Sequence, residues 1–165
     1  EKSPSIATRI EAPKTGKAFT GKAGEYAVMS ELLFWEFNAS VMAVDDGIDL
    51  IASKNNEYFH IQVKTATEQD GGRFTFTIEH KSFKEHDSAK MFYVFVLRRG
   101  LANEYIVIPS NYLRTLISGG RITPNPKLSV TIKVDPKGRS YMLNNSTDVS
   151  LYFGNFGGVI APTHV

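Results

Sequence analysis

The most constraining segment of this sequence is the run MFYVFVL at residues 91–97, which is apolar at seven consecutive positions. Such a run is typical of a β-strand that is buried on both faces of its sheet. A helical pattern from about Gly21 to Asn38, with Thr20 as N-cap, precedes the strands, and a short helix capped by Ser110 follows them. This order predicts an α/β or α+β domain with a central mixed sheet flanked by helices.

Further strands are predicted from alternating or apolar runs between turn residues. They cover residues 40–44, 48–53, 58–67, 73–79 and 105–108, and a second hairpin over 128–143 turns at Asp135-Pro136-Lys137-Gly138. Residues 1–20 lack periodicity, so we expect a flexible N-terminal arm. Residues 21–165 are predicted to form a single domain with a C-terminal hairpin extension over about 121–165. The end of the chain, LYFGNFGGVIAPTHV, has no assignable pattern.

Composition limits the chemistry that this chain can perform. The 165 residues include no cysteine, which excludes a disulfide framework, a thiolate metal site and a cysteine nucleophile. No apolar run approaches about 18 residues, so we expect no membrane span. The N-terminus has no signal-peptide pattern, so we expect a cytoplasmic protein. The net charge is only +2, and no overall positive field indicates a polyanionic partner.

The segment GIDLIASKNNEYFHIQVKT, residues 47–65, predicts a β-hairpin whose apolar pattern is broken by polar residues. Asn tolerates the left-handed backbone of tight hairpin turns, so Asn55-Asn56 is the predicted two-residue loop. Pairing about this loop places Asp49 opposite Gln62. Side chains alternate between the two faces of a strand, so Lys64 shares the face of Gln62 and lies within diagonal reach of Asp49.

Glu25 is a second carboxylate in an unusual position. At about 100° per residue it falls in one narrow sector of the helix with Val28, Leu32 and Trp35. It therefore lies on or beside the stripe that is predicted to pack over the sheet.

An isolated buried carboxylate is costly unless it is paired or bound to a metal ion. A structural ion pair between Asp49 and Lys64 is one explanation for the polar face of the hairpin. That ion pair gives no reason for Gln62 and Glu25 to converge on the same place.

The order of these residues resembles the PD-(D/E)XK nuclease superfamily, and most closely its Holliday-junction-resolvase and restriction-endonuclease-like branches. The matching residues are Glu25 in GEYAVMSELL, Asp49 in GIDLIA, and Gln62 and Lys64 in IQVKT. The resemblance covers roughly residues 20–110 and implies a restriction-endonuclease-like core.

The resemblance implies a metal-dependent DNA endonuclease, one that acts on duplex sites or on branched recombination and repair intermediates, and it suggests a homodimer. Asp49, the amide oxygen of Gln62, the carbonyl of Val63, and Glu25 either directly or through water would hold Mg²⁺ or Mn²⁺. Lys64 would orient or deprotonate the attacking water and hold the scissile phosphate. The implied catalytic residues are therefore Glu25, Asp49, Gln62 and Lys64.

Two positions depart from the superfamily pattern. Ile48 stands where the namesake motif has proline, and Gln62 replaces an acidic residue, which removes one negative charge from the metal site. Two alternatives to the endonuclease therefore stay open. One is a catalytically weakened nuclease fold that binds nucleic acid or serves in an assembly, and the other is a protein-interaction domain.

Several neighbouring residues are candidates for contact with DNA. Thr65 and Thr67 follow the lysine and are predicted to touch the DNA backbone, unless they are ordinary strand residues. His60 shares the face of the predicted site and either touches substrate or is a half-buried structural histidine. Lys22 is a further predicted nucleic-acid contact. The pair Asp45-Asp46 is either part of a turn or an accessory metal ligand.

Overall fold

A five-stranded mixed sheet forms the centre of the computed structural model, which describes residues 11–135, 137 and 139–162. Residues 1–10 of the predicted arm, and Pro136 and Gly138 of the predicted turn, lie outside the described residues. The strands, in sheet order, are β1 (Asn38–Val41), β2 (Leu50–Lys54), β3 (Glu57–Thr67), β5 (Met91–Arg99) and β6 (Ala102–Pro109). β3 and β5 run parallel, and the other neighbours run antiparallel.

A second, antiparallel sheet consists of β4 (Arg73–Glu79), β7 (Lys127–Val134), β8 (Tyr141–Leu143) and β9 (Thr147–Asp148). The helices are α1 (Lys17–Phe34), α2 (His80–His86), α3 (Ser110–Ser118) and α4 (Phe156–Ile160), with a 3₁₀ turn at Ser150–Tyr152. Within the described ranges, no helix is long and apolar enough to cross a membrane.

The central sheet is buried on both faces, as the run at residues 91–97 predicts. All seven residues of that run are buried, and they alternate between two apolar layers. α1 and α4 cover one layer, through residues such as Leu32 and Phe156. The second sheet covers the other layer, with Phe83 of α2 and Leu113 of α3 at its margin. The predicted central mixed sheet flanked by helices is therefore confirmed, and a second sheet adds to the cover of one face.

The boundaries of α1 differ from the prediction. The helix begins at Lys17 with Gly16 as N-cap, so the predicted arm of residues 1–20 includes its first turn. The Thr20 hydroxyl, predicted to cap the helix, instead reaches back to the Thr15 carbonyl. The helix ends earlier than predicted because Glu36 adopts a left-handed conformation with φ 61°.

Ser110 does not cap α3, because its hydroxyl has another role. That hydroxyl donates to Asp87 Oδ1 at 2.7 Å and lies 3.0 Å from the Ser88 carbonyl. Pro109 occupies the N-cap position. The serine is fully buried and ties the start of α3 to the loop before β5.

The two strands of the predicted C-terminal hairpin, β7 and β8, belong to the second sheet. β7 pairs with β4 along seven residues, from Arg73 opposite Lys133 to Glu79 opposite Lys127. Alternate residues of both strands are buried against the central sheet. The second sheet is therefore assembled from one strand at residues 73–79 and from three strands between residues 127 and 148.

α1 approaches β3 closely at Gly24. A Cβ atom at Gly24 would collide with the Thr65 hydroxyl and lie 2.9 Å from the Thr65 Cβ atom. Thr65 Oγ1 is buried and has no hydrogen-bond partner among the described residues. The absence of a side chain at position 24 thus sets the distance between the helix that carries Glu25 and the strand that carries Lys64.

Gly24→Ala is expected to destabilise the protein, although alanine is the better helix former. The helix gains about 1 kcal/mol from the replacement, but overpacking against Thr65 costs about 1–3 kcal/mol or more, since backbone must move. The control is Gly21→Ala, where a Cβ atom meets nothing within 4 Å and stability should rise. Urea unfolding of both variants measures the difference. Equal stabilisation of the two would contradict the close approach.

Candidate active site

The β2–β3 hairpin has the predicted register. Asn55 and Asn56 form the turn with φ values of 53° and 63°, the left-handed conformations that such a loop requires. Lys54 pairs with Glu57, and the same register continues to Leu50 opposite Ile61. The register predicted from the turn is therefore observed as far as Leu50, and beyond it the Asp49 N–H donates to the Ile61 carbonyl at 2.9 Å.

Asp49 lies where the regular pairing of β2 with β3 ends. Its Oδ2 atom accepts hydrogen bonds from the Val63 backbone N–H at 2.7 Å and from Gln62 Nε2 at 2.8 Å. The carboxylate thus accepts a hydrogen bond from the Val63 N–H of β3. A backbone carbonyl of β2 would accept this bond if β2 were longer. Asp49 is 4% exposed and Gln62 is 7% exposed. Among the described residues, no donor reaches the second oxygen, Oδ1.

The surroundings of Asp49 oppose its ionisation. The pKa of this carboxyl is raised from 3.8 to about 6, chiefly by burial, with smaller contributions from the nearby charges of Asp45 and Glu25. The Val63 hydrogen bond and the positive charge of Lys64 lower the pKa but do not cancel the effect of burial. A cation placed beside Oδ1 would favour the charged form.

Lys64 lies on the Gln62 side of β3, and both side chains line the same cleft. Within the part of the chain that the structure describes, Lys64 has no carboxylate within 4.0 Å and no side-chain hydrogen bond. The alternative of a direct structural ion pair between Lys64 and Asp49 is therefore absent from this structure. The ammonium group is free to contact a ligand.

Glu25 approaches the site from α1 and has a cation of its own. Its Oε2 atom lies 2.8 Å from Lys22 Nζ, and its side chain is 12% exposed. The buried stripe of α1 is Gly24, Val28 and Leu32, so Glu25 lies beside it. The Glu25 hydrogen bond raises the pKa of Lys22. This pair links Lys22 to the carboxylates of the site.

A cleft of about 430 Å³ opens beside these residues. Gln62, Lys64 and Tyr93 form its floor on the central sheet. Its walls come from the loop before β2 and from the β4–α2 segment, through Asp45, Asp46, Gly47, Ile78, Glu79, Lys81, Ser82 and Glu85. The cleft therefore lies between the two sheets, at the edge where Asp49 ends the pairing.

The other predicted contacts lie away from this cleft. Thr65 and Thr67 border a separate hollow beside the start of α1, because strand alternation directs them away from Lys64. Their contact with the DNA backbone stays a prediction, and Thr65 also packs under Gly24. His60 is half-buried opposite Ile51 and does not line the cleft.

The donors at Asp49 fit a hard cation that retains water. Mg²⁺ is bound through one or two carboxylates together with water and substrate oxygens. Asp49 Oδ1 and the Gln62 amide oxygen are of this type. The Val63 carbonyl shares the strand edge of its N–H, which points to Asp49. Among the described residues, no three His, Cys, Asp or Glu side chains are grouped as a metal cage, so such an ion would be held sparsely.

The fold of this chain has counterparts among solved structures. The chain is similar to a bacterial homing endonuclease, I-Ssp6803I, with 10% sequence identity and a TM-score of 0.56, over 84% of this chain and 90% of that one. This chain has a restriction-endonuclease-like fold. The similarity at this identity concerns the fold.

A second solved structure is also similar to this chain. It is Hjc, a Holliday junction resolvase from the archaeal hyperthermophile Archaeoglobus fulgidus, with 16% identity and a TM-score of 0.45, over 71% of this chain and 84% of that one. No protein-family model matches the sequence, and no curated protein matches it.

The sequence analysis did not find the cleft wall formed by α2. Lys81, Ser82 and Glu85 lie on this seven-residue helix, which is too short for a clear apolar period. The signal available was Phe83, a single apolar residue in a polar run after β4. It is buried and anchors the helix between the sheets.

The raised pKa of Asp49 predicts that stability depends on pH. The folded protein retains a proton that the unfolded chain releases between about pH 4 and pH 6, so stability falls as pH rises through that window, by an amount on the order of 2–3 kcal/mol. Asp49→Asn can accept both hydrogen bonds and stays neutral. The variant should match the wild type near pH 4 and exceed it above pH 6. Denaturant unfolding across this range measures the difference, and a constant difference would contradict the assignment.

Proposed function

We propose that this chain is a metal-dependent endonuclease that hydrolyses phosphodiester bonds in DNA. The observation that carries the proposal is that the buried Asp49 carboxylate is bonded to the Gln62 amide, which lines one cleft together with the Lys64 side chain. A purely structural polar cluster would satisfy its own charges. This one leaves a carboxylate oxygen and an ammonium group without partners among the described residues, which supports a site that binds ligands.

Each residue has a distinct role in the proposed reaction. A bound Mg²⁺ or Mn²⁺ ion would supply a more acidic water and positive charge to offset the phosphate. Asp49 and the oxygens of Gln62 and Val63 would hold the ion. Lys64 holds the scissile phosphate and orients the water toward phosphorus. Glu25 supplies further negative charge to the metal.

A second candidate function is a nuclease fold that binds nucleic acid without cutting it. The observation in its favour is Gln62, which leaves Asp49 without the second acidic ligand of the superfamily pattern. Incubation of supercoiled plasmid and of four-way DNA junctions with Mg²⁺, Mn²⁺ or EDTA distinguishes the two. Metal-dependent cleavage that Asp49→Asn abolishes supports the endonuclease. Salt-dependent DNA binding without cleavage in any metal supports the second candidate.

Lys64→Gln should abolish most of the cleavage with little effect on stability. The variant removes the positive charge that is proposed to contact the reacting phosphate, and we expect the cleavage rate to fall about 100-fold or more. Because Lys64 has no close partner among the described residues, the free energy of unfolding should change by less than about 0.5 kcal/mol. Nicking rates and thermal unfolding of one preparation measure both effects.

The matched control for this variant is Lys81→Gln. Lys81 lines the same cleft but is exposed and lies 3.9 Å from Glu85, so its loss lowers the charge of the cleft equally without touching the hairpin. An equal drop in cleavage for both variants would show that only the overall charge of the cleft matters.

Gln62→Glu should make stability more dependent on metal. It places a second carboxylate at hydrogen-bond distance from Asp49, and the two cannot both ionise without a cation. We expect a lower melting temperature in EDTA at pH 8 and a larger rise on addition of Mg²⁺ than in the wild type. Gln69→Glu, a change of the same charge at an exposed residue that bridges to Arg73, is the control. A response to Mg²⁺ no larger than that of the control would count against a metal at this site.

A further inference from the structure

The outer face of the second sheet is the side that points away from the central sheet, and the described residues leave it largely uncovered. Buried and exposed residues alternate along β4 and β7, so one set of side chains packs inward and the other points outward. The outward pairs, from one end to the other, are Arg73 and Lys133, Thr75 and Thr131, Thr77 and Ser129, and Glu79 and Lys127. These two strands therefore present charged and hydroxyl side chains to solvent.

Two cations lie opposite each other at one end of this face. Arg73 and Lys133 are direct cross-strand partners, and like charges in that position destabilise a sheet. Neither side chain forms an ion pair among the described residues. Arg73 Nε donates to the Asp70 backbone carbonyl at 3.2 Å, which leaves the two terminal nitrogens of the guanidinium without a partner in the described chain. Stability of the sheet alone gives no reason for this pair of like charges.

The carboxylates near this end of the sheet have other partners. Asp148 accepts a hydrogen bond from the Ser150 N–H at 2.9 Å. Asp135 accepts one from the Ser140 hydroxyl at 3.1 Å. In the part of the chain that the structure describes, neither carboxylate forms an ion pair with Lys133. An anion from outside the chain would relieve the repulsion between the two cations.

We infer that the outer face of the second sheet binds the phosphate backbone of duplex DNA, with Arg73 and Lys133 each in contact with a phosphate. The inference rests on the proposed function, because Glu79 at the other end of this face also lines the cleft. Lys, Arg, Ser and Thr side chains make most of the contacts that proteins form with DNA phosphates. A guanidinium with free terminal nitrogens can bind two phosphate oxygens at once.

The length of the face suits DNA that extends from the cleft. Lys127 and Lys133 lie at the two ends of the paired part of β7, and at about 3.4 Å per residue they are about 20 Å apart. Since duplex DNA rises about 3.4 Å per base pair, about six base pairs beyond the cleft span this distance.

The cleft itself does not attract a polyanion. It is lined by four carboxylates, those of Asp45, Asp46, Glu79 and Glu85, but by only two ammonium groups, those of Lys64 and Lys81. Much of the affinity for DNA must therefore come from cations outside the cleft. The Arg73 and Lys133 pair is a source of that affinity.

The salt dependence of DNA binding tests the inference. Fluorescence anisotropy of a labelled duplex of about 20 base pairs, measured in EDTA, gives the affinity without cleavage. Each phosphate contact contributes about −0.9 to the slope of log K against log salt, so Arg73→Gln combined with Lys133→Gln should reduce the slope by about 1.8. At 0.1 M salt the affinity should fall by about tenfold or more.

The matched control is Lys14→Gln combined with Lys17→Gln. These two exposed lysines lie at the start of α1, which covers the opposite face of the central sheet, and their replacement removes the same charge. The control should retain the wild-type slope. An equal loss of slope in both double variants would show that only the net charge of the protein matters, and it would overturn the inference.

The thermal stability of single variants distinguishes a binding role from a structural one. Lys133→Gln removes the repulsion of Arg73, so it should raise the melting temperature by about 1–3 °C while it weakens DNA binding. Lys127 lies on the same strand and face but opposite Glu79, so Lys127→Gln should lower the melting temperature. A lower melting temperature for Lys133→Gln would show that Lys133 stabilises the sheet, and it would contradict the inference.

Failure of this inference is distinguishable from failure of the proposed function. DNA binding that depends on Arg73 and Lys133, without cleavage in any metal, would support the inference and reject the endonuclease. Metal-dependent cleavage together with unchanged DNA binding by the Arg73→Gln and Lys133→Gln double variant would support the endonuclease and overturn the inference.

Discussion

The hydrogen bond from the Val63 N–H to Asp49 Oδ2 is the interaction on which the site depends. β3 is longer than its partner β2, so a backbone donor near the centre of the sheet would be left unpaired where β2 stops. The carboxylate of Asp49 takes the place of the missing strand. This role holds Asp49 in a buried position and commits one of its oxygens to the protein. The other oxygen remains for a ligand.

Gln62 makes this arrangement tolerable without a bound ion. An amide can donate to Asp49, whereas a carboxylate at position 62 would repel it. The other two carboxylates near Asp49 lie apart from it. Glu25 pairs with Lys22, and Asp45 lies in the wall of the cleft. The raised pKa of Asp49 shows that the balance is still unfavourable for the charged state. A local loss of stability of this kind is common where function constrains structure.

The features predictable from the sequence are those with local causes. The Asn55-Asn56 turn determines the register, and alternation then assigns Gln62 and Lys64 to one face. The same alternation places Thr65 on the other face, where it packs against Gly24 of α1. α2 and α4 were not predicted because helices of seven and five residues take their stability from tertiary contacts. No local pattern indicates that β4 belongs to the second sheet and not to the central one.

The position of β4 in the second sheet has a consequence for how such a domain can diversify. β3 and β5 are adjacent and parallel in the central sheet, yet the chain between them crosses to the second sheet and back. The groups that the proposed reaction uses lie mainly on the hairpin before this excursion, and much of the opposite wall of the cleft lies on the excursion itself. Under the proposed function, substrate selection and bond cleavage would therefore be encoded in separate stretches of the chain. Replacements between Glu79 and Glu85 can change what enters the cleft while the hairpin stays as it is.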